Sequence, residues 1–515
     1  MKKRNYHQAR WDEPFIMLQG SPGERGVFLP EAEEVIVDSV GEADGLVPPD
    51  LGRKQPPQLP EISQMQLLRH YIRLSQETIG ADINIDIGLG TCSMKYSPKV
   101  HEEIVRSPKM QQIHPYQDSG TVQGILEILY KTSEYLKEIS GMDAFCLHPA
   151  GGSQAIFSNI LMMKAFHRSQ GQDSLKDEVI TTMLSHPGNP GAAATAGYKV
   201  ITLDPDENGY PDFRQFIKAV SDKTAGLLIT NPEDSGIYNP RIKEMTDIIH
   251  GVGGLCIYDQ ANLNGLFGIA RAREAGFDMC HYNLHKSFSS PHGCQGPACG
   301  AQGVTAELEK YLPQPAICFD GEKYYLDYER PFSIGKIRKF YGNPAVAVRA
   351  YAYIRSLGEQ GLKQVSELSI LNNNYLLHKL ADVKGLSLPV AQHIRRIDQS
   401  RLSWEGLRQD TGVTTDDVNR RIVDYGVQSY FASHHPRVYP EPFTPEPVET
   451  YSKADIDEYA QILQDISAEA YNDPELVKTA PHKAALASQV KMEHLTDINL
   501  LATTWRAFKK QQEEA

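Results

Sequence analysis

The chain has 515 residues and a mass of 57.5 kDa, enough for two or three domains at roughly 100–200 residues each. Its 41% hydrophobic and 23% charged residues are a globular composition and exclude a largely disordered protein. Lys+Arg of 52 against Asp+Glu of 65 leaves a net charge of -13, which argues against a nucleic-acid binder or a polybasic membrane anchor. No apolar run is long enough to span a membrane, and MKKRNYHQARWDEP has no apolar region behind its basic residues, unlike a secretory signal. The seven cysteines are scattered without CxxC spacing. That pattern fits a reducing cytoplasm and argues against a disulfide framework, a structural zinc or any other metal site.

In chain order, residues 1–75 read as an N-terminal arm. GSPGERG, LVPPDLG and KQPPQLPE are turn and extended-chain signals, either lying over the body or a partner or forming a loose leader. SQMQLLRHYIRLSQE has helical spacing. TVQGILEILYKTSEYLKEISGM is an amphipathic helix with Gly141 near its end. Alternation follows: helix SQAIFSNILMMKAFHR, strands DEVITTML and YKVITLD, helix DFRQFIKAV, strand TAGLLIT, helix IKEMTDIIHGVG and strand GLCIYD. Short β-rich runs separated by helices predict an α/β fold with a large parallel sheet over 76–335. From 336 to 515 the texture changes. A long helical stretch broken at Gly358–Gly361 leads to helices DDVNRRIVDYG and ADIDEYAQILQDISAEAY, which flank the Pro-rich HHPRVYPEPFTPEPVE. This reads as a linker helix and a smaller α+β C-terminal domain.

Three segments carry chemistry. The apolar strand GLCIYD ends at Asp259, and a second short segment leads to Lys286 within MCHYNLHKSF. A lysine in a restricted pocket can offer a free amine for a Schiff base, and a carboxylate at a strand tip can pair with a protonated pyridine nitrogen. An ordinary ion pair for Lys286 and a helix cap for Asp259 remain the alternatives. HPAGGSQAIF is a glycine-rich turn entering a helix, so Gly151, Gly152, Ser153 and Gln154 could cradle a cofactor phosphate, or form a plain turn capped by Ser153. In SHPGNPGAAATAG, His186 lies beyond a strand end, where open α/β sheets bind ligands, and the small residues after it suggest close backbone approach.

With RHYIRLSQ, GTCSMKYSPK, HPYQDSGTVQG, NPEDSGIY, YDQANLNG, NLHKSFSSPHG, DYERPFSIGKIRKFYGN, VRAYAYIR and DPELVKTAPH in this order, the chain resembles the glycine decarboxylase P-protein family, in its cofactor-carrying subunit, from about Leu59 to the TAPHK segment. The resemblance implies the fold-type-I, aspartate-aminotransferase-like architecture and pyridoxal 5'-phosphate (PLP) as cofactor. It implies Lys286 as the Schiff-base lysine, Asp259 on the pyridine nitrogen, His186 stacked on the ring, and the AGGSQ loop with Asn283 around the cofactor. His285 and His292 are candidates for proton transfer. Thr91, Ser93 and Lys95 of GTCSMKY, with Gln260, Arg330, Arg338 and Arg395, are candidates for the substrate. It further implies an external aldimine and a stabilised carbanion formed from an amino acid. A homodimer or heterotetramer is expected, with a lipoyl carrier protein as partner if the reaction is glycine decarboxylation.

Around that core the chain departs from the family pattern. Ala155 and Ile156 stand where Gly-Glu is usual, Gln260 turns DGAN into DQAN, Cys294, Gln295 and Cys299 interrupt a glycine run, and HIRRID brings Arg395 and Arg396. These changes favour a diverged member that uses the carbanion for C–C bond formation on another amino acid, with an anionic or nucleotide-like second substrate in a biosynthetic pathway. The alternatives are the working glycine decarboxylase subunit, with its partner subunit and lipoyl carrier, and a catalytically inactive structural subunit.

Overall fold

The computed structural model describes residues 4–41, 47–55, 59–80, 82–85, 87–89, 93, 95–292, 296, 298–428, 433–434 and 438–485, and positions 506, 509, 510 and 513. They divide into two compact units: one comprises Gly80–Ala480 together with Arg4, the other Asn5–Ile79 together with the described residues after Ala480.

In the larger unit, helix α1 (Gln123–Ser140) ends as its sequence demands. Gly141 takes the left-handed conformation at φ 74°, and its N–H closes on the Lys137 carbonyl. Seven strands follow: β1 (Ala144–Cys146), β2 (Glu178–Thr182), β3 (Lys199–Leu203), β4 (Thr224–Thr230), β5 (Leu255–Asp259), β6 (Met279–Asn283) and β7 (Gly300–Val304). They form one sheet in the order β1-β7-β6-β5-β4-β2-β3. The five strands from β6 to β3 are parallel, and β7 and β1 close the sheet antiparallel. Helices α2 (Gly152–Ser169), α3 (Gly188–Thr195), α4 (Phe213–Ala219) and α5 (Ile242–Gly251) connect them.

Both sheet faces are covered, so the central strands read as unbroken apolar runs. Alternate residues serve opposite clusters. Ile180, Leu227, Tyr258 and Tyr282 join α1 on one face, while Val179, Leu228, Ile257 and Met279 join Ile156, Ile160 and Met163 of α2 on the other. β7 escapes a propensity reading because GAQGV carries two glycines. A Cβ at Gly300 would lie 2.5 Å from the Gly151 carbonyl oxygen, and one at Gly303 would lie 2.5 Å from the Phe145 ring. Close approach, not β propensity, selects these residues.

Helix α6 (Pro344–Leu380) starts with proline in its first turn and is continuous except at Gly358, whose φ of 65° kinks it. Its first half packs into the sheet core through Val346 and Ala350. Its end supplies Leu376 and Leu380 to a separate cluster with Trp404, Phe443 and Ile466. Helices α7 (Thr415–Val423) and α8 (Lys453–Asn472) complete that cluster, each opened by a reciprocal capping box, Thr414 with Asp417 and Ser452 with Asp455.

In the smaller unit, a helix over Gln64–Gln76 opens with a Ser63–Gln66 capping box. His70 and Arg73 on it hold the Glu13 carboxylate, each at 3.0 Å. The Gln8 N–H donates to the Lys483 carbonyl at 3.0 Å, tying the chain's two ends together. Among the described residues, Cys146, Cys256, Cys280, Cys299 and Cys318 are unbridged thiols, and no helix is long and apolar enough to cross a membrane.

Trp404 has no solvent exposure and anchors the C-terminal cluster. Trp404→Ala should cost about 3–5 kcal/mol, measured as a lowered urea midpoint with an unchanged slope. A cost below about 1 kcal/mol would contradict this packing.

Candidate active site

The candidate residues gather at the carboxyl edge of the parallel strands. His186 follows β2, Asp259 ends β5 and Asn283 ends β6. Lys286 lies one tight turn beyond, its N–H bonded to the Asn283 carbonyl at 2.9 Å. Parallel register sets Thr230, Asp259 and His281 side by side on β4, β5 and β6. A cavity of about 570 Å³ opens at this edge. Gly151, Gly152, Ser153, Gln154, His186, Asp259, His281, Asn283, His285, Lys286 and His292 line it. A smaller pocket of about 30 Å³ shares His186, Asp259, Ala261 and Lys286 and adds Asp234 and Asp398.

Asp259 is 2% exposed. Burial pushes its carboxyl up, but His281, His186, the Ala261 amide and Lys286 outweigh that and hold it below the usual carboxylate range. It is therefore ionised at neutral pH. The Ala261 N–H donates to Oδ1 at 3.1 Å and the Thr230 hydroxyl to Oδ2 at 3.3 Å. His281 Nε2 stands 3.3 Å from Oδ1. Burial lowers the proton affinity of His281 by more than Asp259 restores, so that ring is neutral.

His186 accepts the Gly188 N–H at Nδ1, 2.9 Å away, which leaves its ring proton on Nε2. Its edge meets His434 at a centroid distance of 5.0 Å. The segment after it, glycine-rich in sequence, forms helix α3 rather than a loop; Pro190 is accommodated in the first turn, where no intrahelical N–H is needed. His285 is buried and packs on His292 at 4.2 Å. Burial, then the His292 and Lys286 charges, push its pKa down to about 3. It is neutral at physiological pH, and so weak a base offers the cavity an uncharged hydrogen-bonding ring rather than a proton acceptor.

The glycine loop enters α2 with Gly151 as N-cap, no side-chain cap and no acid in the first turn. Such a helix start presents N–H groups and a positive dipole end to an anion. The Gln154 side chain braces the loop, accepting the Ala150 N–H at 2.6 Å and donating to the Ile337 carbonyl at 2.8 Å. A Cβ at Gly152 would meet the Asn283 amide nitrogen at 2.8 Å. Asn283 Oδ1 is buried at the cavity wall without a protein partner. An uncapped helix start, an ionised carboxylate and a lysine around one cavity fit a phosphate-bearing pyridine aldehyde.

The remaining sequence candidates divide. Ser93 binds Glu446, its N–H to Oε2 at 3.3 Å and its hydroxyl to the backbone carbonyl at 3.1 Å. The Lys95 ammonium is buried against Glu449 at 2.7 Å, Tyr353 at 2.9 Å and Asn264 at 3.3 Å. Gln260 is buried beside Tyr258 and does not line the cavity. Arg330 donates to the Glu309 carbonyl in a different cleft. Arg338 is half-buried, next to the Ile337 carbonyl that Gln154 holds. Arg395 is exposed and lines a third cleft with His378 and Leu402. Thr91, Cys294 and Gln295 lie outside the described residues. Sequence reasoning passed over Asp398, on the pocket wall, and Glu446, which accepts from Asn262 and from Asn264. Glu446 hid in a Pro-rich run whose only structural signal was extended chain; that run pairs as Pro445–Glu446 with Gly88–Leu89.

Gly300→Ala puts a methyl group against the Gly151 carbonyl and the Ala155 side chain. It should lower stability by about 1–3 kcal/mol and weaken PLP retention in equilibrium dialysis by at least tenfold. Unchanged retention would separate β7 from the cofactor loop.

Residues 365–485 match the glycine dehydrogenase C-terminal domain family. The chain is 42% identical over 515 residues to "Probable glycine dehydrogenase (decarboxylating) subunit 2" of Pyrococcus horikoshii, covering 99% of each chain. It is 40% identical to the protein of that name in Halalkalibacterium halodurans, covering 92% of this chain and 95% of the other. Among solved structures, an inhibitor-bound glycine decarboxylase (P-protein) of the glycine cleavage system aligns with TM-score 0.70 at 18% identity, covering 85% of this chain and 100% of that one. The cysteine desulfurase CsdA of Escherichia coli aligns with TM-score 0.57 at 13% identity, covering 75% of this chain and 95% of that one. The chain belongs to the glycine dehydrogenase (decarboxylating) subunit 2 family and is a PLP-dependent enzyme of fold type I.

Proposed function

We propose that this chain is the cofactor-carrying subunit of a glycine decarboxylase. On this reading it works with a partner subunit and passes the aminomethyl group to the lipoyl arm of a carrier protein, in the cytoplasm. The observation that carries the reading is the extent of the similarity: 42% identity over 99% of both chains, with relatives named for this activity. It favours this reading over the diverged C–C bond-forming one, and the places of three departures that prompted the latter, Arg396, Arg395 and Ala155, support the same choice. Arg396 spends its guanidinium on the carbonyls of Ala391 and Ile394, at 2.9 and 2.6 Å, and on that of Val390. Arg395 faces another cleft. Neither reaches the cavity to hold an anionic second substrate. Ala155 is fully buried against Gly300, a packing match rather than a new reactive group.

Bound PLP supplies an electron sink for the pair released when a bond at an amino acid's Cα breaks. The chain's own groups then have distinct tasks. Lys286 would carry the cofactor and, once displaced, offer an amine beside the substrate carbon. Asp259, kept ionised, would hold a proton on the pyridine nitrogen. The first turn of α2 and Asn283 would hold the phosphate end, and His186, fixed by Gly188, would cover one ring face. His285, neutral, would offer a hydrogen bond rather than a charge. The near-complete burial of Asp259, His281, His285 and Lys286 keeps water from the reacting carbon and strengthens each of these interactions.

The test is exchange of labelled bicarbonate into the glycine carboxyl group, with PLP, the partner subunit and a lipoylated carrier. Exchange should occur with glycine and vanish in Lys286→Ala, which should also lose the visible band of a lysine-bound pyridoxal. No exchange with glycine, together with a spectral response to another amino acid, would restore the diverged reading.

A further inference from the structure

Lys286 sits where two tight turns meet. Its N–H donates to the Asn283 carbonyl at 2.9 Å, and its own carbonyl accepts the Ser289 N–H at 3.1 Å. Both backbone groups of the lysine are therefore held, and the next three residues fix where the turn lies. Ser287, Phe288 and Ser289 are buried, none more than 1% exposed, and each is anchored to a different part of the fold. The Ser287 hydroxyl oxygen accepts the Leu263 N–H at 2.6 Å, and the hydroxyl donates to Asn262 Oδ1 at 3.4 Å. That ties the turn to the loop leaving Asp259. The Phe288 ring packs edge-on against Phe267 at a centroid distance of 5.1 Å. The Ser289 hydroxyl donates to the Tyr96 carbonyl, 193 residues earlier in the chain.

Ser289 takes a φ of 58°, the left-handed conformation that a residue with a Cβ adopts only at a cost. Glycine would adopt it freely. A strained residue persists only where its surroundings hold it, and such residues gather at functional sites. What a glycine would lack here is the hydroxyl that reaches Tyr96. The anchors themselves are rigid. Tyr96 follows Lys95, whose buried ammonium is held by Glu449, Tyr353 and Asn264. Asn264 in turn donates to Glu446 at 3.0 Å, as Asn262 also does, and the Asn264 N–H is held by Asn262 Oδ1 at 2.8 Å. The oxygen that Ser287 reaches and the segment that Ser289 reaches thus belong to one buried network.

We propose that Ser287 and Ser289 are positioning residues whose hydroxyls strap the lysine turn, so that the Lys286 amine meets the cofactor at one place each time it is displaced by an amino acid and returns. That exchange replaces one amine by another at the same carbon and consumes nothing else. Its rate depends on how often the freed amine stands within reach of that carbon. With the backbone held before and after Lys286, the search is confined to the side chain's own torsions within the cavities it lines. Neither serine touches the reacting atoms; both act through the lysine. The proposal rests on the reading of Lys286 as the cofactor-carrying lysine of an amino-acid-processing enzyme.

Two variants at one position separate positioning from stability. Ser289→Gly removes the hydroxyl and the left-handed strain together, whereas Ser289→Ala removes the hydroxyl and keeps the strain. The glycine variant should therefore unfold in urea close to the wild type, and the alanine variant earlier. Function should follow the hydroxyl instead. In PLP-loaded protein, both variants should weaken the visible circular dichroism of the lysine-bound band alike. In bicarbonate exchange with glycine, the partner subunit and a lipoylated carrier, both should lower kcat about tenfold and leave KM within about twofold of wild type. Ser287→Ala should show the same two losses. Wild-type dichroism or wild-type kcat in Ser289→Gly, with only the alanine variant impaired, overturns the proposal and leaves Ser289 a residue of stability alone. If the wild type itself exchanges no bicarbonate with glycine, the decarboxylase reading falls, and the dichroism, which needs no substrate, still decides the straps.

Discussion

Asp259 is a carboxylate almost without access to water, and the structure keeps it charged. A buried anion is tolerated only when paired and hydrogen-bonded. Here the hydrogen bonds come from the Thr230 hydroxyl on β4 and the Ala261 amide of the following loop, with the His281 ring on β6 3.3 Å away. Parallel register supplies that convergence, and a one-residue slip would remove it, because alternate residues point to opposite faces. The charge of Asp259 is therefore a property of the sheet as a whole. The same sheet delivers Lys286 and His186 to the same edge, one turn after β6 and one short loop after β2.

The acids of the site divide into two regimes. Asp259 is pulled down by histidines and an amide and stays ionised. Asp398 and Glu446, on distant segments that meet the loop after β5, are both pushed up by burial, and Glu446 also by repulsion from Asp398. Environments that drive like groups apart assign different chemical roles to them. The histidines follow the same logic. Burial lowers His281 and His285, so these two rings beside Lys286 are neutral.

Much of this was legible in sequence because the informative residues are local. Asp259 ends an apolar run, Lys286 interrupts a buried segment, and Gly141 closes an amphipathic helix; each needs only its neighbours to be understood. The strands from β2 to β5 were visible as continuous apolar runs. What was not legible depends on contacts between distant segments. Glycine in β7 is chosen by the Gly151 carbonyl across the sheet edge, and Glu446 gains its meaning only when Asn262 and Asn264 close on it. Lys95 and Arg396 show the reverse: cations that suggest substrate contact in sequence are consumed by the scaffold, by Glu449 and Tyr353 for one and by backbone carbonyls for the other. The break of α6 at Gly358 was visible in sequence, but that its two halves feed separate clusters, the sheet core and the C-terminal one, needs the three-dimensional packing to be seen.

The most direct test of the account is the protonation state of the pyridine nitrogen. Wild-type protein and Asp259→Asn, each loaded with PLP labelled with nitrogen-15 in the ring, would be compared by nuclear magnetic resonance near pH 7. The account predicts a protonated ring nitrogen in the wild type and a neutral one in the variant, with the lysine-bound visible band retained in both. A neutral nitrogen in the wild type, or the same shift in both proteins, would contradict it.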